Sequence, residues 1–153
     1  MLMRHLRRFL ALPGAERHLL LEAVIALTMV RVLLAVLPFK TAMCLSGLRT
    51  VTGGDADPGL SGAASEDVML ATALGRAILR VARHMPFRAV CLQQAMACTV
   101  MLRRRQLPVV VRFGVSKKLG GAIEAHAWAI CGGVVVTGAN GMKRFTAITT
   151  FSP

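Results

Sequence analysis

The 153-residue chain contains no tyrosine and a single tryptophan, Trp128. That scarcity weighs against a nucleic-acid-binding module. A net charge of +12 invites the idea, but the basic residues are spread along the whole chain and no aromatics are interleaved with them to stack bases. Acidic residues are also few: Glu16, Glu22, Asp55, Asp57, Glu66, Asp67 and Glu124 stand against 19 Lys and Arg, and no Asp follows Asp67. Any chemistry in the second half that needs a carboxylate has Glu124 alone. The cysteines Cys44, Cys91, Cys98 and Cys131 lack the spacing of a disulfide framework, which points to a reducing compartment, taken here as the cytoplasm. Cys91 and Cys98 lie too far apart for the roughly two to four intervening residues of a zinc knuckle, so neither metal nor cofactor is expected.

A long uninterrupted apolar run is missing as well. A secretory signal needs an uninterrupted apolar segment followed by a small-residue cleavage site, whereas Glu22 and Arg31 bracket only the eight residues Ala23 to Val30. A mid-helix Arg would cost a spanning segment about 2.5 to 3.5 kcal/mol. The leading reading of the stretch up to Pro38 is a long, mostly buried helix with its charges on an exposed stripe. A basic amphipathic surface able to touch anionic lipid or an acidic partner is the secondary reading.

What is present suits a folded domain. Hydrophobic residues make up 55% of the chain and the mean hydropathy is +0.60, which excludes a disordered segment. One domain over 1–153 is expected: a helical layer (1–50), a Gly/Asp/Ser-rich connection (51–65) and a core (66–153). Ser65 is placed to cap a helix with Glu66 and Asp67 in its first turn, and Val68, Leu70, Ala71, Leu74, Ile78 and Val81 form its apolar face. Arg76, Arg80 and Arg83 fall on its outer side. After Pro86 a second helix starts near Arg88 to Cys91 and runs through Arg105. Beyond Pro108 the period changes to that of strands, at Val109–Val115, Ile123–Ile130, Val134–Thr137 and Phe145–Phe151. Helices followed by an antiparallel meander define an α+β fold.

Cys91 falls in the first turn of its helix, where free backbone N–H groups and the positive dipole end favour a thiolate, with Arg88 adding positive charge. Cys98 reads as core. His126 lies in AIEAHAWAI, where alternation places Glu124, His126 and Trp128 on one strand face and Ile123, Ala125, Ala127 and Ala129 on the other. A thiol on a helix and an imidazole on a strand packed against it would form a nucleophile and general base. A buried Cys and a strand His with no chemistry between them is the plainer alternative.

The string CLQQAMACTVMLRRRQLPVVVRFGVSKK followed by AHAW resembles the lasso-peptide maturation peptidases, in the transglutaminase-like branch of the papain-like cysteine hydrolases. The match covers roughly residues 86–151, and the opening RRFLALPGAERHLLLEA resembles that family's helical lead-in. The resemblance implies a transglutaminase-like core in which a Cys-bearing helix packs on an antiparallel sheet. It implies Cys91 as nucleophile, His126 as general base and N–H groups at the start of the Cys91 helix as oxyanion donors. The implied reaction removes a leader peptide from a ribosomally made precursor so that an ATP-dependent macrolactam synthetase can close a ring on the freed amine. Without a fused winged-helix module, a separate leader-recognition protein is the implied partner. The family pattern also expects an Asp about a dozen residues after the His, where this chain has TGANG. Asn140 could take the orienting role through its amide oxygen, or could simply be a turn residue, and Thr137 and Glu124 are the other candidates. A transglutaminase-type acyltransferase using the same pair, and a non-catalytic basic binding module, are the competing classes.

Overall fold

The computed structural model describes residues 11–51, 63–117 and 120–152. Most of the 51–65 connection lies outside them. The order along the chain is α1 (Gly14–Val36), α2 (Phe39–Leu45), β1 (Arg49–Thr50), α3 (Ser65–Ala82), α4 (Cys91–Arg103), β2 (Val110–Lys117), β3 (Ile123–Cys131), β4 (Val134–Thr137), a short 3-10 helix (Met142–Arg144) and β5 (Thr146–Ser152). Pro38 ends α1 as expected, because the residue before a proline is driven out of the helical region, and Leu37 is extended. Ser65 departs from expectation: it is the first helical residue and Ala64 occupies the cap position, while Glu66 and Asp67 do sit in the first turn.

The fold is α+β, with α1, α3 and α4 packed on one another and α3 and α4 set against an antiparallel sheet. Strand order is β1-β5-β2-β3-β4, which corrects the simple meander. The chain leaves the sheet after the four-residue β4, passes through the 3-10 helix and returns on the far side of β2. There Phe151 meets Phe113 edge-on at 5.0 Å, an apolar contact that β4 with its exposed Val134 does not offer. Helix α3 lies so close to β4 that a Cβ on Gly75 would come within 2.1 Å of the Val136 carbonyl oxygen.

One apolar core joins Leu27, Leu74, Ile78, Met96, Met101 and Leu102 from the helices to Val111, Ala127, Ala129 and Cys131 from the sheet. The small side chains of β3 let α4 approach. Helix α1 corrects the expectation of a mostly buried rod. Leu20, Ala23, Ala26, Leu27 and Val30 make a buried stripe, but Leu21, Val24, Ile25, Met29, Val32 and Val36 are exposed on the opposite side, and the charges do not occupy that side. Its carboxylates hold it to the other helices instead. Glu22 accepts from both Arg105 terminal nitrogens at 3.0 and 2.7 Å and lies 3.4 Å from Arg104, and Glu16 pairs with Arg80 at 2.6 Å. The Arg105 hydrogen bonds hold the Glu22 carboxyl below its ordinary value.

Candidate active site

Cys91 is the first residue of α4, half-buried at the margin of the helical core. Val90 before it has no side-chain acceptor, so the first-turn N–H groups carry no side-chain cap. Cys98 lies mid-helix and fully buried, and burial pushes its thiol up to about 12. Burial also raises the Cys131 thiol, with Asp67 adding to the effect. Neither is suited to nucleophilic work. Cys44 is exposed on α2.

His126 lies midway along β3. Ala127, Ala129 and Cys131 face the helices, and His126 alternates with them on the face that carries Gly114, its partner in the β2–β3 register. The imidazole is stacked between two rings, Phe145 at 4.9 Å and Trp128 at 6.0 Å, each at 28°. The Trp128 ring lies against Gly114, where a Cβ would come within 2.8 Å of it, so a residue without a side chain makes room for the indole. Trp128, on the strand face it shares with His126, forms an apolar wall beside the ring. Phe145 had no signal beyond the strand pattern.

The imidazole Nε2 lies 2.7 Å from the Gly138 carbonyl oxygen. A carbonyl only accepts, so Nε2 carries the proton and donates, and Nδ1 of the neutral ring is left as the acceptor. Asn140 is exposed in the turn, and the orienting oxygen comes from the backbone two residues earlier through Nε2, not from an amide through Nδ1. Gly138 is twelve residues beyond His126, the separation at which the resemblance places an Asp. It adopts φ +77°, and a Cβ there would meet the Ala127 carbonyl oxygen at 2.4 Å and the Trp128 Cβ at 2.8 Å. Glycine is the residue that can present this carbonyl to the ring.

The structure thus joins His126 to Gly138 and sets Cys91 at the head of the helix that crosses β3. Thiol and imidazole form no hydrogen bond with each other. Two buried polar atoms without a partner among the described residues flank these positions: Gln93 Oε1, two residues after Cys91, and Thr137 Oγ1, directly before Gly138. Among the described residues no cluster of three His, Cys, Asp or Glu could hold a metal.

Cys91 heads a helix packed on the sheet face that Ala127, Ala129 and Cys131 line, while alternation puts His126 on the other face, so the structure does not bring the thiol and the imidazole together. The chain belongs to the transglutaminase-like superfamily, whose family model matches residues 28–150, a range that takes in Cys91, His126 and Gly138. The superfamily includes cysteine proteases and acyltransferases, and activity of that type is what membership supports. Comparison with curated proteins and with solved structures gives no significant match.

Proposed function

We propose that the chain is a cysteine peptidase that removes the leader from a ribosomally made lasso-peptide precursor. The observation that carries the reading is the His126–Gly138 hydrogen bond. It fixes the tautomer that leaves Nδ1 basic, on a strand crossed by the helix that begins with Cys91 and an uncapped first turn. In the reaction, Nδ1 takes the Cys91 proton and the sulfur attacks the scissile carbonyl, forming a C–S bond. First-turn N–H groups of α4 take up the oxyanion charge. The imidazolium returns its proton to the leaving amine as the C–N bond breaks. Water, deprotonated by the same nitrogen, then cleaves the thioester and restores the thiol. The reading requires a thiol–Nδ1 contact that the structure does not contain, since alternation puts His126 on the face of β3 away from Ala127 and Ala129, which face the helices.

The partners follow the same reading: a precursor, a separate leader-recognition protein and an ATP-dependent macrolactam synthetase. Incubation of precursor with the chain, with and without the recognition protein, followed by mass spectrometry, is expected to give free leader and core. Cleavage is expected to be slow with the chain alone and accelerated with the recognition protein. Cys91→Ala and Cys91→Ser should release nothing while melting as the wild type does. Leader release by Cys91→Ala would overturn the mechanism. Added primary amine distinguishes the acyltransferase: a covalent amide adduct in place of hydrolysed product would move the assignment to that class.

A further inference from the structure

The feature that catalysis leaves unused is the outer side of α1. Leu21, Val24, Ile25, Met29, Val32 and Val36 recur there at helical spacing, with Ile25 66% and Val36 73% exposed, and Phe39 continues the patch past Pro38. At 1.5 Å per residue the stripe from Leu21 to Val36 is about 22 Å long. Its polar atoms are already spoken for. Thr28 turns its hydroxyl back to the Val24 carbonyl at 2.8 Å. Arg31, at the edge, places its guanidinium over the Phe87 ring at 5.7 Å and off the stripe. Glu22, the acid at the other edge, is held by Arg105 and Arg104. Cations stand at both ends, Arg17 in the turn before Leu21 and Lys40 just beyond Phe39.

We infer that this face seats α1 in the plane of an anionic membrane surface, with the aliphatic side chains in the acyl boundary and Arg17 and Lys40 among the phosphates. An exposed apolar stripe of this length marks an interaction surface. The charge pattern identifies what it meets, because among the described residues no ion pair engages Arg17 or Lys40 and the whole chain carries +12. α1 has the length and apolarity of a spanning helix. Crossing would strip Leu20, Ala23, Leu27 and Val30 from their packing on α3 and α4, so the helix lies on the bilayer instead of passing through it.

Flotation of the whole chain with phosphatidylcholine vesicles, with and without phosphatidylglycerol, tests this. Wild-type protein should float with the anionic vesicles and remain partly bound at high salt. Ile25→Ser with Val32→Ser should weaken binding by about 100-fold, the loss of two buried aliphatic side chains. Both positions are exposed, so the melting temperature should hold, and Leu21→Ser with Val36→Ser is the second variant if it does not. Ile25→Trp should shift its emission to the blue on adding anionic vesicles. Three results would overturn the inference: no flotation with anionic vesicles; equal binding by wild type and both double variants with complete release by salt, which is adsorption by net charge alone; or a lipid-free dimer that the double variants dissociate, which makes the face a contact between copies.

Discussion

Replacing Gly138 by Ala probes the backbone oxygen that orients His126. Alanine in the left-handed region costs about 1–2 kcal/mol. The added Cβ would stand 2.4 Å from the Ala127 carbonyl oxygen and 2.8 Å from the Trp128 Cβ, and since the first obstacle is backbone, the 138 segment has to move. Strain of that kind costs about 1–3 kcal/mol. The sum, about 2–5 kcal/mol, lowers Tm by roughly 5–15 °C in a chain of this size. The same movement pulls the carbonyl off Nε2, which now sits 2.7 Å away. Losing one such bond, about 0.5–1.5 kcal/mol, should reduce kcat/KM for precursor cleavage by about 2- to 13-fold. Gly138→Asp supplies the carboxylate that the family pattern expects, yet it should fare no better, because its Cβ meets the same oxygen. Differential scanning calorimetry and single-turnover cleavage read the two effects. A Gly138→Ala protein with wild-type Tm and wild-type kcat/KM would refute the account of this glycine.

Asn140→Ala should cleave at the wild-type rate, since the side chain is exposed and His126 takes its hydrogen bond elsewhere; a loss of tenfold or more in kcat would return the orienting role to the amide. Native protein treated with a thiol reagent should be modified at Cys44 and Cys91, with Cys98 and Cys131 reacting only on unfolding, as peptide mapping will read. Burial raises the Cys98 thiol above its unfolded value, so the stability that its neutral form allows is fully present below about pH 8.5 and declines as pH rises from there toward about 12. Glu22→Gln should lower stability by about 1–3 kcal/mol at neutral pH. Because the folded carboxyl is held below its ordinary value, that difference is present above about pH 4.3 and fades as pH falls through the lowered value, which melts of both proteins across pH will show.

The strands after Pro108 were legible because β-branched runs separated by glycine turns have little alternative, and β4 falls at Val134–Thr137 as read. Cys91 at the head of α4 was legible from Pro86 and the change to helical period. The place of β5 was not, since the register between β5 and β2 depends on Phe151 finding Phe113, a pairing that no local pattern encodes. The outer side of α1 was misread because an apolar residue carries the same letter whether a core or a different phase covers it. The orienter of His126 was invisible for a simpler reason: backbone oxygens belong to every residue, and what selects Gly138 is a positive φ against Trp128.

The return of β5 to β2 also sets an order of events during synthesis. β2 and β3 can zip together as soon as residue 131 has emerged, but one edge of β2 then stays open until residues 146–152 are made. β1 waits longer still, because Arg49 and Thr50 pair with Ser152 and Phe151 across almost the whole intervening chain. A nascent chain therefore carries an unpaired edge next to the histidine strand, a hazard for association with other nascent chains. It also lacks Phe145, one of the two rings that flank His126. The stacking that holds the imidazole is completed only as the last strand docks, so an incompletely made chain would have its cysteine in place before its histidine is set.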